Sequence, residues 1–273
     1  MAKILVFGAT GQVGGFLLPR LLATGHEVWA VSRRAQADGV TGLHWLCGDL
    51  ENGVPPVPPV DAIVSLGPLD RFAAWFDAQA DGSRVTRVVA LGSMSASTKR
   101  DAPDATERAL AAVLLAAEQR LIGAARRSGC ACCVLRPTLI YGGAGSSLAR
   151  FARFARRTRL FPWAPGARGL RQPVHADDLA LACANLIDRS DGIDDIINIG
   201  GGERLTHARM LQCIRRRMEV FSVPVPLPLA MLRLAAALTG RGRGVVSRLG
   251  EDLVVDNVLA EQALAIRPRR FEP

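Results

Sequence analysis

The chain has 273 residues, 49% hydrophobic and 22% charged, enough apolar material for one large domain or two smaller ones. That composition excludes a disordered chain, and the missing repeats exclude collagen-like and coiled-coil proteins. Its 34 basic residues outnumber 25 acidic ones for a formal charge of +9, and 32 of the 34 are arginines, Lys3 and Lys99 being the lysines.

Residues 3–7, KILVF, are a short apolar run followed at once by GATGQVGG and the apolar-periodic FLLPRLLATG. This predicts strand, glycine turn and a helix closed by Gly25. EVWAVSRR and LHWLCGDL predict a second and third strand. VPPVPPV, residues 54–60, reads as a surface connector to a fourth strand in DAIVSLGP, and VTRVVALGS predicts a fifth. Residues 103–127 are rich in alanine and leucine and predict a long helix, with Gly129 just past its end. CCVLRPTLIYG predicts a sixth strand, and Cys130, Cys132 and Cys133 of the run GCACCVLRP serve there as small apolar residues. No metal site is expected, because histidines at workable spacing are missing. Residues 141–173 are rich in Gly, Arg and Pro and hold one basic amphipathic stretch, SSLARFARFARR. HADDLALACANLID predicts a helix with Asp177 placed to cap it, DDIINIGGGE a last strand and turn, and THARMLQCIRRRM a further helix. The remainder is proline-broken and partly helical.

Nearly all-apolar strands alternating with helices predict an α/β fold, a Rossmann-type doubly wound parallel sheet of about seven strands. The expected division is a dinucleotide-binding domain over 1–141, completed by 174–200, and a smaller substrate-binding region from 142–173 and 201–273. The apolar start is too short for a signal peptide, and the longest later apolar stretch, 220–238, is broken by prolines and Arg233. A soluble, cytoplasmic protein is therefore expected.

Gly8, Gly11 and Gly14, with Thr10, Gln12 and Val13 between them, form a G-x-x-G-x-x-G variant of the dinucleotide fingerprint. Such glycines permit a tight turn, close approach of backbone to a pyrophosphate, and close helix–strand packing, while the helix start offers N–H groups to the anion. The competing reading is a purely structural turn. An NAD-preferring site carries Asp or Glu near the end of the second strand. Here that strand runs into Ser32, Arg33 and Arg34, which suits the 2′-phosphate of NADP, with NAD still possible. Arginine clusters at 150–159, 215–217 and 267–270 are compatible with phosphate, nucleic acid or an anionic membrane, although solvated surface is the simpler reading.

GATGQVGG, GDL at 48–50, LGS at 91–93, LRPTLIYG at 135–142, RQPVHADDLA at 171–180 and NIGGGERLT at 198–206 occur in this order. Together they resemble the extended and atypical short-chain dehydrogenase/reductases, in particular the NAD(P)-dependent epimerase/dehydratase group acting on nucleotide sugars. The resemblance spans most of the chain and weakens after about residue 220. It implies that Asp49 and Leu50 flank the adenine, that Leu66, Gly67 and Pro68 lie along the cofactor, and that Pro137 sits beside the nicotinamide. It places Ser93 or Ser95 where the family keeps a substrate-bonding hydroxyl, and Arg171, Gln172 and His175 on the substrate side. Each also has a structural reading: Asp49 capping a turn, Pro137 ending a strand, His175 leading into a helix.

The family's acid/base pair is Tyr-x-x-x-Lys on the long helix, where the lysine lowers the tyrosine pKa. Counting back from Glu118 puts Leu110 and Leu114 at those positions, and both lysines look remote from that helix. Three explanations follow. An enzyme could use another acid, from Ser93, Ser95, Tyr141, Glu107 and His175, on a nucleotide-linked sugar or related carbonyl compound. The protein could instead be a catalytically silent NADP-binding sensor. A basic surface for RNA or membrane is a minor third. The apolar side of the long helix, 109–122, would allow a homodimer.

Overall fold

The computed structural model describes residues 1–37, 39–81, 84–143, 145–239 and 248–273. Within the range expected for the smaller region, 144 and 240–247 thus lie outside the described residues. Seven strands form one parallel sheet: β1 (Lys3–Phe7), β2 (Glu27–Ser32), β3 (Leu43–Cys47), β4 (Ala62–Ser65), β5 (Arg87–Leu91), β6 (Ala131–Pro137) and β11 (Asp195–Ile199). Their order is β11-β6-β5-β4-β1-β2-β3. The chain winds outward through β2 and β3, then crosses back to β4 on the other side of β1. The β1/β4 boundary is thus the switch point, outside whose strand ends ligands of such sheets bind.

Side chains alternate across each strand. Ile4 and Val6 join α1 (Gly14–Ala23) and α6 (Ala176–Asp188) in one core cluster, while Leu5 and Phe7 join α2 (Leu69–Asp77) and α4 (Ala105–Ser128) in the other. Helix α2 was not foreseen, although Leu69, Phe72, Ala73 and Phe76 stand at helical spacing behind Pro68 and are all buried. Cys130 and Cys133 stand at Cys-x-x-Cys spacing, yet they pack on opposite sides of the sheet. Burial pushes both thiols up to about 12.

Two expectations are corrected. The predicted sixth strand is two. Pro137 has no N–H to extend the ladder, so β6 ends there, and β7 (Leu139–Tyr141) pairs instead with β10 (Pro173–His175). The cap of α6 is His175, whose Nδ1 accepts from the Asp177 N–H at 3.1 Å, so Asp177 lies inside the first turn. The last helix, Val258–Leu264, buries Ala260 and Leu264 in the α1/α6 cluster. The end of the expected smaller region therefore packs on the main sheet.

A third core cluster lies outside the sheet. It joins α5 (Ser147–Thr158), β8 (Leu160–Trp163) and α7 (His207–Arg217) around Tyr141, Phe161, Met210, Ile214 and Phe271. The arginine-rich α5 starts at Ser146, whose Oγ accepts from the Ala149 N–H, and it buries Ala155. Short strands β9 (Leu170–Arg171) and β12 (Leu205–Thr206) pair antiparallel beside this cluster, and β13 (Val223–Pro226) pairs with β8. Among the described residues no helix is long and apolar enough to cross a membrane.

Candidate functional site

The turn after β1 is built by its glycines. Gly8 has φ +73°, a conformation that side chains disfavour, and its carbonyl accepts from the Gly11 N–H at 2.9 Å. A Cβ on Gly14 would collide with the Ala9 carbonyl, so only glycine lets α1 start this close to the turn. No side chain caps that start. The N–H groups of Gly15, Phe16 and Leu17 bond the Gly11 and Val13 carbonyls at 3.2, 3.0 and 3.0 Å, so an anion at this helix start would be met by N–H groups of the turn just before them.

Against this turn lies a cavity of about 310 Å³ at the C-terminal ends of β1, β2, β3 and β4. Of the residues predicted for the cofactor, Gly8, Thr10, Gly11, Ser32, Arg33, Asp49, Leu50, Gly67 and Pro68 all line it. A Cβ on Gly67 would meet no atom within 4 Å, so that wall opens directly onto the space. Asp49 is turned toward its own loop. Its Oδ1 accepts from the N–H groups of Glu51 at 2.7 Å and Asn52 at 2.6 Å, and its Oδ2 from the Asn52 amide at 2.9 Å. The Asn52 bonds above all hold its carboxyl below the usual range. Glu51 is paired with Arg71, which also lines the cavity and which the sequence reading passed over. The acidic groups of this wall therefore have cationic or main-chain partners, while Arg33 faces the space.

The other predicted cofactor residues lie around the cavity. Val13 and Gly14 are buried where α1 meets the sheet, and Arg34 is exposed, its N–H donating to Ser32 Oγ at 3.3 Å. The Leu66 N–H bonds the Phe7 carbonyl at 3.0 Å behind the cavity. Gln12 packs near Gly143, with its Nε2 buried and unpartnered among the described residues. Pro137 ends β6, its carbonyl accepting from the Met94 N–H at 3.2 Å.

A second cavity, of about 720 Å³, lies between the segment after β5, the α5/α7 region and the chain around 248–253. Ser95, at the start of the short helix α3 (Ser95–Thr98), lines it, and Ser93 Oγ accepts from the Ser95 N–H at 3.1 Å. Lys99 lines it too, which corrects the expectation that both lysines are remote from the long helix. Lys99 is 8% exposed, and its Nζ lies 3.5 Å from Oε1 of Glu107, in the first turn of α4. Arg248 Nε reaches the same oxygen at 2.9 Å. Glu107, a candidate acid by sequence, is thus the shared anion of two cations. Rarity among so many arginines, and a position four residues after Ser95, were the available signals for Lys99.

The remaining candidates are held elsewhere. Tyr141 is 2% exposed, its hydroxyl donating to the Arg270 carbonyl at 3.0 Å and accepting from the Glu272 N–H at 3.3 Å. Burial pushes that phenol up, and its ring packs edge-on against His175 with centroids 4.9 Å apart. Both line a third cavity, of about 370 Å³, which shares the Leu148 wall with the second. Tyr141 and Ser95 therefore face different spaces. Gln172 is spent on structure, donating to the Gly201 carbonyl at 2.9 Å and accepting from the Val255 N–H at 2.8 Å. Arg171 lines the second cavity but donates to the carbonyls of Leu170, Glu251 and Arg248 at 2.8, 2.7 and 2.5 Å. Leu110 is 42% exposed on α4.

The model of the NAD dependent epimerase/dehydratase family matches residues 4–54, the segment that holds the glycine turn and the loop after β3. Among curated proteins the sequence has no match. The whole chain shares its fold with solved structures of low identity. UDP-N-acetylglucosamine 4-epimerase from Bacillus cereus is 17% identical with a TM-score of 0.70, covering 99% of this chain and 95% of its own. UDP-glucose 4-epimerase from Thermotoga maritima, solved with UDP-glucose, is 17% identical with a TM-score of 0.72, covering 98% and 94%. UDP-glucuronic acid 4-epimerase from Bacillus cereus, solved with UDP-glucuronic acid and NAD, is 12% identical with a TM-score of 0.72, covering 98% and 95%.

Proposed function

We propose that this chain is a cytoplasmic oxidoreductase or epimerase that binds a nicotinamide dinucleotide, NADP ahead of NAD. Its substrate in this reading is a nucleotide-linked sugar or a related carbonyl compound. The observation that carries the reading is the glycine turn opening α1 at the switch point of a parallel sheet, with a cavity at the strand ends lined by the residues expected to hold a dinucleotide. The matched family segment and the epimerase fold of the neighbours support it.

In this reading the N–H groups between Gly8 and Gly14 hold the pyrophosphate, Leu50 and Pro68 enclose the adenine, and Arg33 pairs with a 2′-phosphate. When bound, the nicotinamide supplies a reversible hydride donor and acceptor. Ser95 orients the substrate oxygen, and Lys99 Nζ carries the proton given to or taken from it. Glu107, 3.5 Å away, holds that Nζ in place. Tyr141 is assigned to packing.

A second reading, a dinucleotide-binding sensor without turnover, is favoured by the leucines at both expected dyad positions. Calorimetry on the purified chain separates these ideas. NADPH should bind more tightly than NADH, and Arg33→Ala should weaken NADPH about tenfold, the scale of one charged hydrogen bond, with NADH changed less than twofold. Failure of both dinucleotides to bind would sink the proposal. Binding without hydride exchange on any carbonyl would favour the sensor.

A further inference from the structure

Several fold neighbours are solved with a nucleotide sugar, whose diphosphate brings two negative charges. The 720 Å³ cavity has no surplus cation among its described lining residues to meet them. Lys99 and Arg248 both lie on Glu107, at 3.5 and 2.9 Å. Arg171 gives three N–H donors to main-chain carbonyls. Two carboxylates, Glu251 and Asp252, line the same wall. Among the described lining residues a diphosphate would find no free partner to replace the water it loses.

Most of the remaining lining is apolar, with Leu139, Phe151, Trp163, Met210, Leu211 and Leu253 among its residues. His207 completes this wall as a neutral group, because burial and the charge of Arg171 hold its pKa at about 4. The volume is that of sites for compact organic molecules, which combine an apolar wall with few polar anchors. Here the anchors at one end are Ser95, Thr98 and the nearly buried Lys99.

We infer that this cavity takes a largely apolar molecule carrying one carbonyl oxygen, with that oxygen seated at Lys99 Nζ and Ser95. The inference rests on the oxidoreductase reading for its biological sense, since it selects aryl or alkyl ketones and aldehydes over nucleotide sugars as substrates. The cavity chemistry itself stands without a dinucleotide.

The test uses the full chain and two probes of one shape, 2-acetylnaphthalene and 2-ethylnaphthalene, the second lacking the oxygen. Both are titrated against tryptophan fluorescence, and Trp163→Phe identifies the signal that belongs to the cavity. The ketone should bind at least tenfold tighter than the hydrocarbon, the scale of a hydrogen bond from a charged donor. Lys99→Met should bring the two within about twofold while leaving the hydrocarbon unchanged. The carbonyl stretch of the ketone bound to the wild type should fall on binding, a readout that needs no variant. Leu211→Trp, which fills the cavity, should abolish binding of both probes. Equal binding of the two probes to the wild type would overturn the seat at Lys99, and saturable binding of UDP-glucose with none of the ketone would overturn the apolar cavity. Failure of both NADPH and NADH to bind in separate calorimetry would defeat the oxidoreductase reading instead, with the probe titrations unaffected.

Discussion

His207 has a buried Nδ1 without a partner among the described residues, and burial, aided by the Arg171 charge, brings its pKa to about 4. A free histidine titrates near 6.5. The folded value is the lower one, so the unfolded chain takes up a proton that the folded chain refuses. Stability is therefore complete above about pH 6.5 and declines as pH falls toward 4, by up to about 3 kcal/mol. Urea titrations between pH 7 and 5 should show this decline, and His207→Gln should flatten most of it; parallel pH profiles for the two proteins would refute the assignment. Single residues were also where the sequence was least legible. Tyr141 stood among the candidate acids, and Lys99 was read as remote from the long helix. The structure commits the Tyr141 hydroxyl to main chain at residues 270 and 272 and turns Lys99 to a cavity wall. Both outcomes depend on segments distant in the chain.

At the scale of elements, α4 was readable because its ends are local chemistry. Asp104 caps it by accepting from the Thr106 and Glu107 N–H groups at 2.8 and 3.2 Å, and Gly129 follows its last turn, so the observed Ala105–Ser128 lies close to the expected 103–127. What α4 does between those ends is not local. Glu118, 1% exposed, accepts from Arg136 of β6 through both carboxylate oxygens and ties the helix to the sheet. Replacing Glu118 by Ala strands Arg136 in a mostly buried position and should cost about 3–5 kcal/mol of unfolding free energy, measured by denaturant titration. A loss under 1 kcal/mol would show that water reaches the guanidinium. The break between β6 and β7 was written at Pro137, but the partner that β7 then takes, β10, lies some thirty residues further along the chain.

On the scale of the whole molecule, Leu110 and Val113 stay 42% and 48% exposed on α4, and the proposal that two copies pair through this helix gives them a cover. Light scattering should then report a dimer that the double change Leu110→Glu and Val113→Glu converts to a folded monomer. A wild-type monomer at tens of micromolar would end the proposal. The sequence by itself determined the seven-stranded parallel core, the glycine turn and the glycines that close α1 and α4. Strand alternation, backbone φ preference and the hydrogen-bonding needs of helix ends act within a few residues, so they are written in contiguous letters. Only the tertiary structure decided which charges are already matched. Arg171 is held by carbonyls at 170, 248 and 251, Gln172 by main chain at 201 and 255, and Lys99 by a glutamate on the next helix. Whether a polar side chain serves a ligand or the fold depends on which partners reach it first, and those partners come from segments that meet only when the chain has folded.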